Sequence, residues 1–327
     1  MTVADYMEAC LHDPADGYYA TRPGLGEAGD FITAPHVSQM FGELLGAWAA
    51  EIWRRMGAPA RVRLVELGPG DGTMMGDVLR AARAAPGFVE AIELVLLETS
   101  APLRARQAER LKARWIAGLD EIGDDAPVII LANEFLDCLP IRQAVKCADG
   151  WRERRVGVGP RGALIFTPGE PRDEIALDAP PGSVLEWSPA LRHFGAGIGD
   201  LIAGAGGAAL FVDYGRDGPG DSLQALARHR REDPLLKPGF ADLTAHVDFK
   251  ALLAAAAPAA THGPVTQGAF LGALGIEARA AVLARANPDE AAKIGRQVAR
   301  LTDPDQMGEL FKVACVASPG LIPPGLA

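Results

Sequence analysis

The stretch LVELGPGDGTMMGDVLR, residues 64–80, decides the fold. It contains an apolar run, a loop with Gly68, Gly70 and Gly72, and then a helical pattern. A buried strand that enters a helix through a glycine-rich turn is typical of nucleotide-binding α/β proteins. Hydride carriers, phosphate donors and methyl donors all bind to such turns, so the loop alone leaves the ligand open.

The sequence on both sides of this stretch continues the alternation of strand and helix. Helices are predicted at 73–85 and 102–113, and strands at 61–67, 91–98, 126–134, 206–215 and 307–318. Nearly continuous apolar strands that alternate with helices predict a parallel sheet with helices on both faces. Ligands of such sheets bind at the carboxyl ends of the strands. We therefore expect one edge of the sheet to carry 66–72, Glu98, 133–137 and 213–215.

The chain is predicted to contain an N-terminal helical extension, 1–60, and a single α/β domain, 61–327. Apolar residues at helical spacing predict one long helix over 35–56. The domain carries two predicted insertions. The first, at about 142–200, reads as antiparallel strands joined by turns, and the second, at about 216–250, is polar and rich in turn residues.

Charge and composition exclude several classes of function. The 327-residue chain has a formal net charge of −10, which argues against a broad surface for nucleic acid or anionic lipid. No run approaches the roughly 20 apolar residues of a membrane helix. The N-terminus shows neither a secretory signal nor an organelle-targeting pattern, so we expect a cytoplasmic protein. The four cysteines lie far apart and the histidines do not cluster, so no metal site is expected.

Two acids favour S-adenosylmethionine over a dinucleotide. A dinucleotide fingerprint would place a glycine where this chain has Thr73. Glu66, two residues before the first glycine, suits a cationic ligand, and S-adenosylmethionine carries an ammonium and a sulfonium but no phosphate. Glu98 follows the loop at about the 20-residue spacing of an acid that binds ribose hydroxyls. Because NAD also contains ribose, Glu98 does not separate the two, and an NAD-dependent dehydrogenase is the weaker alternative.

The segment NEFLD, 133–137, supplies candidate catalytic acids. Glu134 and Asp137 are three positions apart, so both carboxylates can face the same side of a helical turn. Paired acids there can hold a guanidinium or accept its proton. A structural pair that caps the next helix is the alternative. Asp213 adds a further carboxylate at a strand end.

Seven segments together resemble the MidA family, whose mitochondrial members are assembly factors of respiratory complex I. They span nearly the whole chain: 17–46, 65–80, 132–140, 212–215, 238–249, 267–276 and 307–314. The resemblance implies a class I, Rossmann-like methyltransferase fold with S-adenosylmethionine as cofactor. It also implies methylation of a protein arginine, in mitochondria on a subunit of the respiratory NADH dehydrogenase.

The resemblance also implies roles for individual residues. The cofactor site is expected to comprise Glu66, Gly68, Gly70, Gly72, Glu98, Thr33, Gln39 and Asn133. Glu134 and Asp137 are expected to orient and polarise the guanidinium, and Asp213 is expected either to assist them or to support the cofactor pocket. An N-terminal signature that folds over the cofactor matches Gly29, Asp30, Phe31, Thr33, Ser38, Gln39 and Glu43. The chain departs from the family pattern at Asp71, where a basic residue is common, and at His36, where a glutamate is usual.

These observations predict a methyltransferase that uses S-adenosylmethionine and acts on a nitrogen, with a protein arginine as the expected acceptor. The expected partner is a protein substrate, and neither nucleic acid nor insertion into a membrane is expected. The alternative is a non-catalytic assembly factor, a binding module on the same fold. A small-molecule acceptor also stays open, because fold and cofactor do not name the acceptor.

Overall fold

The computed structural model describes residues 1–21, 33–215, 218, 220–227 and 230–326. The α-helices within these ranges are α1 Val3–His12, α2 Tyr18–Thr21, α3 Ala34–Val37, α4 Gln39–Arg55, α5 Thr73–Ala82, α6 Phe88–Ala91, α7 Ala101–Ala108, α8 Pro189–Ala205, α9 Phe249–Ala255, α10 Gln267–Ala273, α11 Ile276–Ala286 and α12 Ala291–Thr302. The strands are β1 Val62–Leu67, β2 Ile92–Leu97, β3 Arg114–Ile116, β4 Val128–Asn133, β5 Arg142–Cys147, β6 Gly150–Val158, β7 Leu164–Pro171, β8 Val184–Trp187, β9 Gly207–Tyr214, β10 Gln224–Ala227, β11 Arg230–Glu232, β12 Asp242–Thr244, β13 Ala260–Thr266 and β14 Phe311–Ala317.

A seven-stranded sheet in the order β13-β14-β9-β4-β1-β2-β3 forms the centre of the fold. The five strands from β9 to β3 are parallel, and β14 runs antiparallel to both of its neighbours. Every residue of β1 and β4 is buried, because apolar helices cover both faces. Helices α4, α5, α10 and α12 contribute to the core on one face, and α8 and α9 to the core on the other. The predicted α/β fold with a parallel-rich sheet is confirmed.

Two smaller sheets lie outside the parallel sheet. One is antiparallel, in the order β7-β6-β5-β8, and confirms the antiparallel strands predicted after residue 142. The other is β11-β10-β12. Apolar residues of α1 and α2 share a third core with this sheet, including Met7, Leu11, Tyr18 and Leu243. None of the helices in the described ranges is long and apolar enough to cross a membrane.

The single helix predicted over 35–56 is wrong, because the chain breaks at Ser38. This residue is extended, with φ −161° and ψ 138°, and its hydroxyl accepts the N–H of Met40 at 3.3 Å as the N-cap of α4. Serine favours this position because its side chain replaces a missing backbone partner. The apolar spacing continues across the break because residues of both α3 and α4 pack on the same core.

Candidate active site

The glycine loop, 68–72, connects β1 to α5 through left-handed backbone. Gly68 and Gly72 have φ values of +63° and +81°, which side chains other than glycine rarely adopt. A Cβ at Gly68 would lie 3.0 Å from the ring of Phe135, and one at Gly72 would lie 3.1 Å from a methyl group of Leu111. Glycine is therefore required at both positions by conformation and by close packing.

A cavity opens beside this loop, at the carboxyl ends of β1, β2, β4 and β9. Eight of the eleven site residues predicted from the sequence line it: Thr33, Glu66, Gly68, Gly70, Glu98, Asn133, Glu134 and Asp137. The other three lie outside its lining: Gly72, Gln39 and Asp213. The cavity is also lined by residues to which the sequence assigned no role, among them Tyr19, Tyr214 and Asp242. The edge of the sheet predicted to bind the ligand therefore borders a cavity.

Glu66 lies at the loop end of the cavity and is 2% exposed. Its Oε2 has no hydrogen-bond partner among the described residues. Burial, and then the neighbouring carboxylates of Asp71 and Glu98, raise the pKa of Glu66 to about 8. A buried carboxylate without a partner is costly, so this side chain is suited to a cationic ligand.

Glu98 is held in place by a buried glutamine that the sequence analysis missed. Oε1 of Glu98 accepts the N–H of Ser100 at 2.8 Å, and Oε2 accepts Nε2 of Gln107 at 3.3 Å. The same Nε2 donates to the carbonyl of Gly70 at 2.7 Å, and Trp115 donates to Oε1 of Gln107 at 2.7 Å. Gln107 thus joins the glycine loop to the predicted ribose acid. The only signal for it in the sequence is a polar residue at a position of α7 that faces the core.

Glu134 directly follows β4 and lines the cavity in a conformation rare for its residue type. Its φ is +51°, and left-handed residues other than glycine concentrate at functional sites. Asn133 donates from Nδ2 to Oε1 of Glu134 at 3.1 Å. Burial, followed by the charge of Asp213, raises the pKa of Glu134 to about 8. We call this region, which also contains Asp137 and Asp242, the acceptor end of the cavity.

Asp213 supports the acceptor end from outside the cavity. Its Oδ2 accepts the backbone N–H groups of Phe135, Leu136 and Asp137 at 3.1, 2.8 and 3.2 Å. Its Oδ1 accepts the N–H of Tyr214 at 2.8 Å. The carboxylate predicted to assist catalysis is therefore occupied by the main chain, and it fixes the turn that carries the two predicted catalytic acids.

The two residues that depart from the family pattern contact each other in the lining of the cavity. His36 Nε2 lies 3.3 Å from Oδ2 of Asp71, and His36 Nδ1 lies 2.8 Å from the hydroxyl of Thr33. Oδ1 of Asp71 accepts the N–H of Thr73 at 3.0 Å. Hydrogen bonds from His36 and Thr73 outweigh burial and hold the pKa of Asp71 well below its usual range. This contact connects the N-terminal segment to the glycine loop.

The structure places Gln39 away from the cavity, contrary to the predicted contact with the cofactor. Gln39 is exposed at the start of α4 and donates to Oε1 of Glu43 at 3.2 Å. The helix begins only after Ser38, and the spacing of the signature could not show that its first residue points outward. Gly29, Asp30 and Phe31, the remaining part of that signature, lie outside the described residues.

The acceptors that line the cavity fit S-adenosylmethionine. Asn133 Oδ1 is buried and, like Glu66 Oε2, has no hydrogen-bond partner among the described residues. Each carboxylate oxygen of Glu98 can accept one more hydrogen bond. An ammonium, an adenine amine and two ribose hydroxyls supply donors to such acceptors. The close approach of Phe135 to Gly68 leaves no room there for a larger residue.

Comparison with known proteins identifies relatives along most of the chain. A family profile described as "Putative S-adenosyl-L-methionine-dependent methyltransferase" matches residues 44–265. Two curated relatives, from Xenopus laevis and Homo sapiens, are named "Protein arginine methyltransferase NDUFAF7, mitochondrial". They are 36% and 35% identical to this chain over 95% of its length, and the alignments cover 80% and 78% of the relatives.

A similar fold occurs in a solved structure from Burkholderia thailandensis that contains bound S-adenosyl-homocysteine. It matches with a TM-score of 0.86 and 30% sequence identity, and the match covers 100% of this chain and 88% of that chain. A native structure from the same organism matches with a TM-score of 0.84. The predicted class I methyltransferase fold and its cofactor, S-adenosylmethionine, are confirmed by these matches together with the family profile.

The predicted cytoplasmic location is wrong. The curated relatives from Xenopus laevis, Homo sapiens and Drosophila melanogaster are all named as mitochondrial proteins. The prediction rested on the lack of a targeting pattern at the N-terminus, and the lack of a pattern does not identify a compartment.

Proposed function

Because the chain belongs to this family of S-adenosylmethionine-dependent methyltransferases, we propose that it methylates an arginine side chain of a protein. The names of the curated relatives support a protein arginine as the acceptor. The resemblance to the MidA family supports a subunit of the respiratory NADH dehydrogenase, and a role in its assembly.

The observation that carries this proposal is the pair of acids at the acceptor end, of which Asp137 is buried and Glu134 is partly buried. Arginine is effectively always protonated, so its binding site must offer negative charge. Glu134 and Asp137 line the cavity. Burial, together with neighbouring carboxylates, raises the pKa of both acids. An arriving guanidinium favours their ionised forms, and charge-assisted hydrogen bonds to it are strong and directional.

Side chains of the cavity bind the cofactor, orient the guanidinium and accept its proton. S-adenosylmethionine supplies a methyl group on a positively charged sulfur when it is bound. Glu66 and Asn133 hold its amino-acid part, and Glu98 holds the ribose hydroxyls. Glu134 and Asp137 orient the guanidinium so that one terminal nitrogen faces the methyl group, and positioning of this kind supplies much of the rate. The methylated nitrogen must lose a proton, and Glu134 would accept it.

The remaining predicted residues receive supporting roles in this proposal. Gly68 and Gly70 let the backbone approach the cofactor, Gly72 starts α5, and Thr33 closes the cavity from the N-terminal side. Asp213 is a positioning residue, because its carboxylate holds the turn 135–137. Of the predicted N-terminal extension, 1–60, the part before α4 acts as the cover over the cofactor, because α4 packs on the core of the sheet. The segment 61–327 forms the methyltransferase domain with the insertions predicted at about 142–200 and 216–250, although α8 within the first of them packs on the sheet.

The substitution Glu134→Gln tests the catalytic role. We expect methyl transfer to fall by about 100-fold or more, as for the loss of a general base, while affinity for S-adenosyl-homocysteine stays within twofold. Transfer is measured as labelled methyl incorporation into a lysate that lacks this protein, and affinity is measured by calorimetry. Glu90→Gln, at an exposed position on α6, is the matched control and should leave both values unchanged.

Mass spectrometry of the labelled product identifies the acceptor. A methylated arginine in a subunit of the NADH dehydrogenase supports the proposal, whereas a labelled metabolite contradicts a protein acceptor. Wild-type protein that binds the cofactor but labels nothing would instead favour a non-catalytic assembly factor.

A further inference from the structure

One wall of the cavity is built from two segments that meet through His36 of α3 and Asp71 of the glycine loop. Nε2 of His36 lies 3.3 Å from Oδ2 of Asp71, although the two residues are 35 positions apart in the sequence. Both line the cavity, as do Thr33 and Pro35 on one side of the contact and Gly70 on the other. The contact therefore joins residues 33–36 to the loop that is expected to hold the cofactor.

Hydrogen bonds fix the orientation of both side chains in this pair. A carboxylate can only accept, so Nε2 of His36 carries the hydrogen that it shares with Asp71. Nδ1 of His36 lies 2.8 Å from the hydroxyl of Thr33, which can donate to it when the ring is neutral. Oδ1 of Asp71 accepts the N–H of Thr73 at 3.0 Å. Because all four polar atoms of the pair are engaged, the two side chains form a fixed connection between the segments.

The surroundings of the pair strengthen it. The side chains of His36 and Asp71 are 15% and 20% exposed, so water and salt screen their interaction less than that of a surface pair. Hydrogen bonds from His36 and Thr73 hold the pKa of Asp71 well below its usual range, so this carboxyl is ionised. An arginine outside the cavity lining, Arg110, also approaches Asp71, but its side chain is 59% exposed and its Nη1 is 4.0 Å from Oδ2. His36 is therefore the better-placed basic partner of Asp71.

Helix α3 depends on such a connection because it does not continue into α4. Ser38 between the two helices is extended, with φ −161° and ψ 138°, so the long helix does not rigidly carry the short one. Ala34 anchors the start of α3 in the core. His36 ties the end of the same turn to the glycine loop, and thereby keeps Thr33 and Pro35 in the cavity wall.

We propose that the pair of His36 and Asp71, which we call the latch, holds residues 33–36 against the glycine loop and slows release of the cofactor. This inference rests on the part of the proposed function that makes the segment before α4 a cover over the cofactor, and not on the identity of the acceptor. His36 and Asp71 are positioning residues in this role, because they act through the wall that they hold in place. Loss of either partner should have the same consequence, since each breaks the same contact.

Rates of cofactor binding by the full chain test the latch without relying on turnover. Surface plasmon resonance on the immobilised protein gives the association and dissociation rate constants of S-adenosyl-homocysteine. His36→Ala should speed dissociation about tenfold, as for the loss of a half-buried hydrogen bond to a charged group. Asp71→Asn keeps an acceptor for the N–H of Thr73 and should speed dissociation about fivefold. Association should change by no more than about threefold, because the latch acts on the bound complex.

Three further variants separate the latch from a general loss of structure or charge. His36→Gln places an amide donor near the position of Nε2, so its dissociation rate should stay within about twofold of the wild type. The double variant of His36→Ala and Asp71→Asn should release no faster than His36→Ala alone, because effects of contacting residues do not add. Arg110→Gln is the matched control, since it removes a charge near Asp71 without altering residues 33–36, and its rate should equal that of the wild type. Urea unfolding of each variant shows whether the fold is kept.

The outcomes distinguish the latch from the function on which it rests. Dissociation at the wild-type rate in both His36→Ala and Asp71→Asn overturns the latch and leaves methylation of a protein arginine standing. An effect of the double variant that equals the product of the two single effects overturns it as well, and so does an equal effect of Arg110→Gln. A wild type that does not bind S-adenosyl-homocysteine overturns both proposals. If His36→Ala does not fold, dissociation at the wild-type rate in Asp71→Asn overturns the latch.

Discussion

Glu66 is a carboxylate whose protonation is linked both to stability and to ligand binding. Its pKa is raised from 4.5 to about 8 in the folded chain, so the folded state binds more protons than the unfolded state between these values. The free energy of unfolding therefore receives its full contribution from this group below pH 4.5, and loses that contribution as the pH rises to about 8. An ammonium group beside Glu66 lowers the pKa of this carboxyl again, because it favours the charged form.

Cofactor binding should consequently release a proton from Glu66. Between pH 6 and pH 8 we expect the affinity for S-adenosyl-homocysteine to rise, with a limit of about tenfold per pH unit. Calorimetry in two buffers of different ionisation enthalpy measures the proton release directly. Glu66→Gln should bind more weakly and lose most of this pH dependence, which separates Glu66 from the other cavity acids. A wild type whose affinity is the same at pH 6 and pH 8 would contradict this assignment.

Individual residues of the candidate site could be predicted where the residues that identify them lie close together in the sequence. Glu66 and Glu98 were identified from their spacing to the glycine loop, because a strand, a turn and a helix fix their positions within about 30 residues. Asp242 and Tyr19 carry no such signal, since their contact joins residues 223 positions apart. Asp213 shows a further limit, because its place at a strand end is readable from the sequence but the partners of its carboxylate are not.

At the scale of elements, α7 fixes the glycine loop through one buried side chain. Gln107 is fully buried and contacts the loop carbonyl, Glu98 and Trp115. Gln107→Leu keeps the volume but leaves the carbonyl of Gly70 and the N–H of Trp115 without partners. We expect the free energy of unfolding to fall by about 1–3 kcal/mol, and the affinity for S-adenosyl-homocysteine to fall several-fold.

Urea unfolding and calorimetry measure these two effects of Gln107→Leu. Glu109→Leu, an exposed position just after α7, is the control and should change neither value appreciably. Loss of stability with unchanged affinity would show that Gln107 supports the core but does not position the loop.

The elements that the sequence predicted well are those with a strong local pattern. Strands β1, β4 and β9 are nearly continuous apolar runs, because helices cover both faces of the sheet, and each was predicted to within two residues of its bounds. The break between α3 and α4 at Ser38 was not predicted, because apolar periodicity indicates which face of a segment is buried but not whether the helix is continuous. Strands β11 and β12 have three residues each, too few for an alternating pattern to be recognised.

At the scale of the whole molecule, Glu43 joins distant helices on one face of the sheet. It is 8% exposed and binds Arg80 of α5 at 3.1 Å and Arg279 of α11 at 2.7 Å. Removing one partner of a buried ion pair is strongly destabilising, but both arginines are partly exposed. We therefore expect Glu43→Ala to lower the free energy of unfolding by about 2 kcal/mol, with cofactor affinity within twofold of the wild type.

Glu51→Ala on the same helix is the control for Glu43→Ala. Glu51 pairs with Arg54 and Arg55 at the surface, so its removal should change stability by no more than about 0.5 kcal/mol. Both variants are measured by urea unfolding and by titration with S-adenosyl-homocysteine. A Glu43→Ala variant of normal stability and lost cofactor affinity would instead place Glu43 in the cover over the cofactor, as the family signature implied.

The position of β14 in the sheet affects how the chain folds while it is being synthesised. Among the described strands it comes last in the chain, yet it lies between β9 and β13 in the sheet. While a ribosome synthesises the chain from its N-terminus, β9 keeps an open edge until residues 311–317 have emerged. Open edges of apolar strands pair readily with other chains. A nascent or truncated chain that ends before Phe311 is therefore exposed to aggregation, and chaperones that shield strand edges would act during this interval.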